Sequence, residues 1–347
     1  MSDMKNKVTI KTLAEDLNVS FSTVAKALNY DPKVKAETIE LVNRRAKELG
    51  YRPNFMAKGL KNCSSKCIGF ILNDVENPAL AYIFKRVSVH MEKFDYSTLI
   101  CDSQYDATVE HRNILSVLSK SLDALIVFLV SSDSSNIALL NEFADKVILL
   151  GDCGDYPQFS CVAINYELGG YLSAKEMLQN GHRDCVVFSE PSTFPASQQY
   201  LIGIRRAYDE FNLTLDDNRI FYSSPSIDNG CNSFMNLWDP DKKCTRIPFT
   251  GILTFCDSLA HGVYKACKML GLSVPDDISV IGFDDNPLSV YSDPPLTTIY
   301  LPKERMLECC INILEAKLLK ENRAPIKYYI DPHLVIRESV KNLKGSS

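Results

Sequence analysis

Along the first part of the chain, apolar residues recur at helical spacing; beyond residue 66 they gather in short continuous runs, so two architectures follow one another. From Thr9 to Asn18, Leu13, Ala14 and Leu17 share one helical face, and from Phe21 to Asn29, Val24, Ala27 and Leu28 do the same. Ser20, just ahead of the second helix, is a residue type that caps helix starts by accepting a hydrogen bond from a backbone N–H. A third helix is expected over Ala36–Leu49, where Ile39, Val42, Ala46 and Leu49 repeat and Gly50 ends it. Pro53 then breaks the pattern. Asn54 can cap a fourth segment, Phe55–Lys61, too short and too burdened by Gly59 to be stable without a partner.

The second helix leaves Phe21, Ser22, Thr23, Ala25, Lys26 and Asn29 off its packing stripe. A face of hydroxyls, an amide and a lysine suits a DNA groove, which makes the first pair of helices a candidate helix-turn-helix; a small three-helix protein-interaction module fits the same spacing. From Cys67 onward the runs Cys67–Leu72, Ala124–Val130, Lys146–Leu150, Cys185–Phe188, Thr250–Phe255 and Ser279–Phe283 alternate with amphipathic stretches. Continuous Val/Ile/Leu runs between helices predict parallel strands buried on both faces, hence an α/β fold with ligands at the strands' carboxyl ends. No glycine-rich phosphate loop follows any of them, which argues against a nucleotide enzyme.

Length and charge sharpen this division. A chain of 347 residues suggests two or three units of about 100–200 residues each. No apolar stretch approaches the roughly 18 residues of a membrane span, and the chain is expected to be cytoplasmic. Residues 1–62 hold 12 Lys/Arg against 7 Asp/Glu, while the remainder holds 26 against 36, so the amino-terminal part is the one that can approach a polyanion. The 12 cysteines lie in apolar contexts and read as small buried hydrophobes, and Cys63-x-x-x-Cys67 lacks a second ligand pair. The histidines are dispersed, and Asp257 with His261, one helical turn apart, reads as capping and packing. No metal, cofactor or catalytic residue is expected.

Three phrases, V-T-I-K-T-L-A at Val8–Ala14, V-S-F-S-T-V-A-K-A-L-N at Val19–Asn29 and E-L-G-Y-R-P-N-x-x-A-x-x-L at Glu48–Leu60, closely resemble the amino-terminal domain of the lactose-repressor-type (LacI/GalR) transcription regulators. Further family phrases follow in order: Asn180–Arg183, Val274–Asp285, Pro294–Ile299 and His333–Ser339. The resemblance implies an N-terminal all-α helix-turn-helix domain over 1–53, a hinge helix and linker over 54–66, and an α/β core over 67–340. That core would be periplasmic-binding-protein-like, with parallel sheets in two subdomains (67–163 with 298–327, and 166–295 with 330–340), followed by a tail at 341–347. Crossovers are expected near 163–165, 295–298 and 327–330.

By the same resemblance Ser20, Asn29, Tyr51 and Asn54 would bind phosphates, Phe21, Ser22 and Lys26 would meet the major groove, and Leu60 would wedge into the minor groove. Thr23 and Ala57 complete the expected DNA set. Two departures limit the transfer: Ala25-Lys26 replaces the usual Ser-Arg, and lysine lacks the bidentate fork that arginine offers guanine. Lys35 also stands where a capping Ser or Thr is usual.

The implied effector pocket draws on Asn73, Asp74, Asn77, Leu80, Asn165, Asp257 and Asp284, with Tyr200 replacing an Arg and Cys256 an Asn. Carboxylates and amides suit a hydroxyl-rich ligand, a sugar or sugar derivative. Tyr200 in place of arginine predicts a neutral ligand with one apolar face. The expected protein is a homodimeric, ligand-controlled repressor of a pseudo-palindromic double-stranded DNA operator. Its rival is a sugar-binding or enzymatic α/β protein with an accessory helical domain.

Overall fold

A computed structural model describes residues 8–51, 64–130, 134–151, 154, 156–319 and 324–344. The chain divides into two compact units, residues 1–65 and 66–347.

In the first unit, helices α1 (Ile10–Asp16), α2 (Phe21–Ala27) and α3 (Ala36–Glu48) close around Leu13, Ala14, Val24, Ala27, Val42 and Ala46. Thr9 and Thr12 form a reciprocal capping box at the start of α1, and the Thr23 N–H donates to Ser20 Oγ at 3.0 Å at the start of α2. Between them Asn18 turns the chain at φ +49°, a left-handed conformation that asparagine tolerates better than most residues. Helix α3 starts at Lys35 without a side-chain cap; an Arg45–Asp16 ion pair ties it to α1.

The second unit holds two six-stranded sheets and a small antiparallel ribbon. The first lobe carries β1 (Cys67–Leu72), β2 (Ser97–Asp102), β3 (Ala124–Val127), β4 (Val147–Gly151) and β5 (Ser160–Ile164). The second carries β6 (Cys185–Ser189), β7 (Ile220–Tyr222), β10 (Gly251–Thr254), β11 (Ser279–Asp284), β12 (Thr297–Tyr300) and β14 (His333–Val335), with β8 (Trp238–Asp239) and β9 (Cys244–Thr245) forming the ribbon. The remaining strand, β13 (Lys327–Ile330), returns to the first sheet, whose order is β13-β5-β4-β3-β1-β2, all parallel. The second sheet runs β14-β12-β11-β10-β6-β7, parallel except for β14 at its edge. Central strands such as β3, β4 and β6 are buried throughout because helices cover both faces.

Two crossings lie beyond the positions expected from the sequence. Thr297–Tyr300 pairs with β11, so it stays in the second lobe and the chain crosses at Leu301–Pro302; Lys327–Ile330 pairs with β5, so the return follows at Asp331–Pro332. Each strand keeps its backbone groups paired to its end before the chain leaves the sheet. The remaining crossing is at Asn165, between β5 and the helix Tyr166–Gln179.

That helix packs on Pro195–Glu210 at glycine contacts. A Cβ on Gly203 would lie 1.8 Å from Glu167 O, and one on Gly170 would lie 2.0 Å from Tyr200 O, so the helices touch through backbone that cannot yield cheaply. Gly203→Ala is expected to cost about 3 kcal/mol or more of stability by forcing the helices apart. Urea unfolding followed by circular dichroism measures it.

Candidate DNA-reading surface and ligand cavity

On the first unit, burial of Val24 and Ala27 turns the opposite face of α2 to solvent. Phe21 is 54% exposed, and Ser22, Lys26 and Asn29 are exposed beside it. Phe21 is therefore not a core aromatic. Thr23 is half-buried and shares a 2.8 Å hydrogen bond with the Ser20 hydroxyl, while Asn29 Nδ2 donates to Ala25 O at 2.8 Å. Tyr51 packs half-buried against the helical core, with its N–H on Ala46 O. Asn54, Ala57 and Leu60 lie outside the described residues. Tyr30, at φ +53° and 69% exposed just past α2, adds an aromatic that no periodicity singles out. This surface offers one point charge, hydroxyls, an amide and two aromatic rings, a set that can touch both phosphates and base edges.

On the second unit, a cavity of ≈ 330 Å³ opens between the lobes, where the carboxyl ends of both parallel sheets converge. Asn73 and Asp74 follow β1. Asp74 accepts the Glu76 N–H at 2.8 Å, and Asn77 caps the helix Pro78–Glu92 by accepting from Ala79 and Leu80 N–H groups. Leu80 lies buried in the wall. Cys256 follows β10, and Asp284 ends β11 at φ +105°, a conformation costly for a residue with a Cβ. Phe128, Tyr166 and Phe255 supply aromatic surface; the Tyr166 and Phe255 rings stack at 5.8 Å.

Besides these aromatic rings, the cavity is lined by two titratable residues that the sequence does not single out. Glu190 follows β6 and Tyr105 follows β2; neither belongs to a recognisable phrase, and β2 is a half-exposed edge strand whose pattern is weak. Tyr105 N–H donates to Asn73 O at 3.1 Å, and Tyr105 and Glu190 influence one another's titration. Burial, together with the Asp74 charge, pushes the Glu190 carboxyl up to about 8 against the Tyr105 hydrogen bond. Burial also raises Asp74, and burial with the charges of Asp257 and Glu190 raises Asp284 well above the carboxylate range. The Cys256 thiol is likewise held protonated, first by burial and then by Asp284.

Three expected pocket residues sit elsewhere. Tyr200 is fully buried, its ring edge-on to Phe255 at 5.2 Å and Phe283 at 5.6 Å and its hydroxyl donating to Thr254 O. It is a core residue because its helix turns this position onto the sheet, so a ligand property cannot be read from it. Asp257 is only 1% exposed and does not line the cavity. It is the first residue of the helix Asp257–Leu270, with Cys256 as N-cap, and accepts from Asn286 N, Ser289 Oγ and Thr298 Oγ1, each at 2.6 Å. Burial outweighs these donors and lifts its carboxyl to about 6. Ser289 also contacts His261 Nε2 at 3.3 Å, so the Asp257–His261 pair is bridged as packing. Asn165 is exposed at the first crossing, capping the helix Tyr166–Gln179 and donating to Asp331 Oδ1 at 2.8 Å. Among the described residues no group of His, Cys, Asp and Glu could hold a metal ion.

Residues 9–54 match the family model of bacterial regulatory proteins, lacI family, and residues 174–340 match that of the periplasmic binding protein-like domain. Over 344 residues the chain is 31% identical to an HTH-type transcriptional repressor PurR of Glaesserella parasuis serovar 5 (strain SH0165), covering 96% of this chain and 99% of that protein. Among solved structures it resembles the lac repressor dimer bound to operator and the anti-inducer ONPF, with TM-score 0.77 and 22% identity over 97% of this chain and 100% of that one. It also resembles a transcriptional regulator CelR–cellobiose complex, with TM-score 0.70 and 22% identity over 96% and 99% of the two chains. At that identity the structural likeness speaks for the fold alone.

Tyr200→Ala is expected to lose about 3–5 kcal/mol of stability through an aromatic-sized void, measured by urea denaturation. Glu190 gives a pH signature. Its native carboxyl, at about 8, holds a proton that the unfolded chain, at the ordinary value of 4.5, releases, so its contribution to stability falls as pH rises between those values. Glu190→Gln should therefore raise the unfolding midpoint at pH 8 more than at pH 5.

Proposed function

The chain belongs to the lacI family of bacterial regulatory proteins, DNA-binding transcriptional repressors, and from that premise we propose that a small effector in the interlobe cavity sets its affinity for operator DNA. One observation carries this reading: a single chain holds both a helix-turn-helix with Phe21, Ser22, Lys26 and Asn29 presented outward and a cavity lined by both lobes. An enzyme is the wrong class, since this family regulates transcription.

The lobes are joined at Asn165, Leu301–Pro302 and Asp331–Pro332, so a ligand touching both walls favours one interlobe angle over others. Coupling that angle to DNA binding makes effector and operator affinities depend on one another. The effector in this reading is a sugar or sugar derivative. Asp74, Glu190 and Asp284 can accept from its donors while Tyr166 and Phe255 cover its C–H face, and a fold relative is solved with cellobiose. The repressor acts as a homodimer on a pseudo-palindromic site, in the cytoplasm where operator DNA lies; a fold relative is solved as an operator-bound dimer. No described helix is long and apolar enough to cross a membrane.

Footprinting on a duplex selected from a random pool should show two half-sites related by a two-fold axis, about one helical turn apart. Protection of a single asymmetric half-site contradicts the dimer. Operator affinity should also fall steeply as salt rises, because Lys and Arg of residues 1–62 displace counterions from phosphates. A flat salt titration contradicts phosphate-driven binding.

A further inference from the structure

We propose that the effector is an organic cation, its protonated nitrogen seated among Asp74, Glu190 and Asp284. The inference rests on the cavity being the effector site.

The cavity wall is one-sided in charge. Asp74, Glu190 and Asp284 line it, and no Lys, Arg or His does among the described residues. Asp228, at the rim, has its own partner in Lys265 at 2.7 Å, and Asp285 next to the cavity is paired with Arg337 at 2.7 Å. The three inner carboxylates belong to none of the ion pairs found among the described residues, although natural proteins seldom bury carboxylates without a cation or a full set of donors. Asp74 receives one backbone N–H, so acceptor capacity is left over.

A second, independent observation points the same way. Asn73 is one of the lining residues, is 7% exposed, and its Oδ1, buried within the wall, has no hydrogen-bond partner. A buried acceptor left open costs free energy until a donor reaches it. An ammonium is all donors, up to three, with a charge matched to the carboxylates, whereas a hydroxyl is both donor and acceptor and an anion is repelled. The Tyr105, Phe128, Tyr166 and Phe255 rings add negative π-faces that favour the same ligand class.

Protons should report the charge. The groups interacting with Glu190 are Tyr105, Asp74, Asp284 and the Cys256 thiol, all neutral or negative. With its pKa raised, Glu190 is largely protonated near neutral pH. Binding an ammonium displaces that proton to the buffer, and the Glu190 carboxylate faces the cation. Affinity for an amine should then rise from pH 6 towards pH 8.

The test uses full-length protein and calorimetry with matched probes: D-glucosamine against D-glucose, and 1,5-diaminopentane against 1,5-pentanediol, with glucose 6-phosphate as the anion. At least one amine should bind about tenfold or more tighter than its hydroxyl partner, with heat that changes with buffer ionisation as a proton is released. The double variant Asp74→Asn with Glu190→Gln should lose that preference while unfolding at the same temperature as the parent or higher. Equal or tighter binding of the hydroxyl partners or the phosphate, no binding by either amine at millimolar concentration, or amine binding that survives in the double variant overturns the proposal. Operator affinity read in parallel separates the two ideas. An amine that binds but leaves operator affinity unchanged upholds the cation site and defeats ligand-controlled repression. Glucose altering operator affinity where glucosamine does not defeats the cation site alone.

Discussion

Asp257 joins three pieces of the second lobe by accepting hydrogen bonds from the Asn286 backbone, the Ser289 hydroxyl and the Thr298 hydroxyl, each at 2.6 Å. The helix it begins, the loop after β11 and the strand β12 are thereby held in one geometry. The loop needs that hold, because Asp284 and Asp285 adopt φ +105° and +51°, and such conformations persist only where the surroundings over-determine them. Arg337 completes the clamp by donating to Asp285 and to Leu296 O. A Cβ at position 282 would come within 2.1 Å of Asp257 Oδ1, so glycine in β11 is part of the same construction. The cavity wall bearing Asp284 is therefore rigid before any ligand arrives.

The contrast between Asp257 and the inner carboxylates divides structure from function within one lobe pair. Asp257 has its donors supplied by the protein, and its role ends in packing. Asp74, Glu190 and Asp284 line a cavity that offers them few donors, and burial, with the charges they place on one another, raises all three carboxyls above their ordinary range. Because Asp74 comes from the first lobe and Glu190 and Asp284 from the second, a ligand satisfying all three spans the crossings that join the lobes. In the proposed mechanism such a contact changes the interlobe equilibrium only through interactions that differ between its states, and that difference would link cavity chemistry to operator affinity.

Much of this was legible in the chain itself. The helical stripes Leu13–Leu17 and Val24–Leu28 mark the two packed faces of the helix-turn-helix, and the continuous apolar runs mark buried central strands. Edge strands such as β2 and β13 were harder to see, because half-exposed positions dilute the pattern. Asn73, Asp74, Cys256 and Asp284 line the cavity from in or just after strands that the sequence marks clearly, and Asn77 and Leu80 line it from the start of the helix that follows β1. Tyr200 departs from the expected pocket because a family position identifies a backbone site, not the direction of its side chain; here the ring turns onto Phe255 and Phe283. Asp257 departs from it for the same reason, and Asn165 because a capping amide resembles a ligand-binding one in sequence. Glu190 and Tyr105 carry no local signature, since their partnership is made by two strands from different lobes.

Reciprocal linkage offers the most direct measurement of ligand-controlled DNA binding. The affinity of the tightest-binding probe should be measured twice by calorimetry, on free full-length protein and on protein saturated with the selected operator duplex. Coupling through the lobes predicts two affinities that differ by the same factor by which that probe changes operator affinity, about 5–150-fold for typical couplings. Identical affinities with and without operator would contradict it, because a cavity blind to DNA cannot control it.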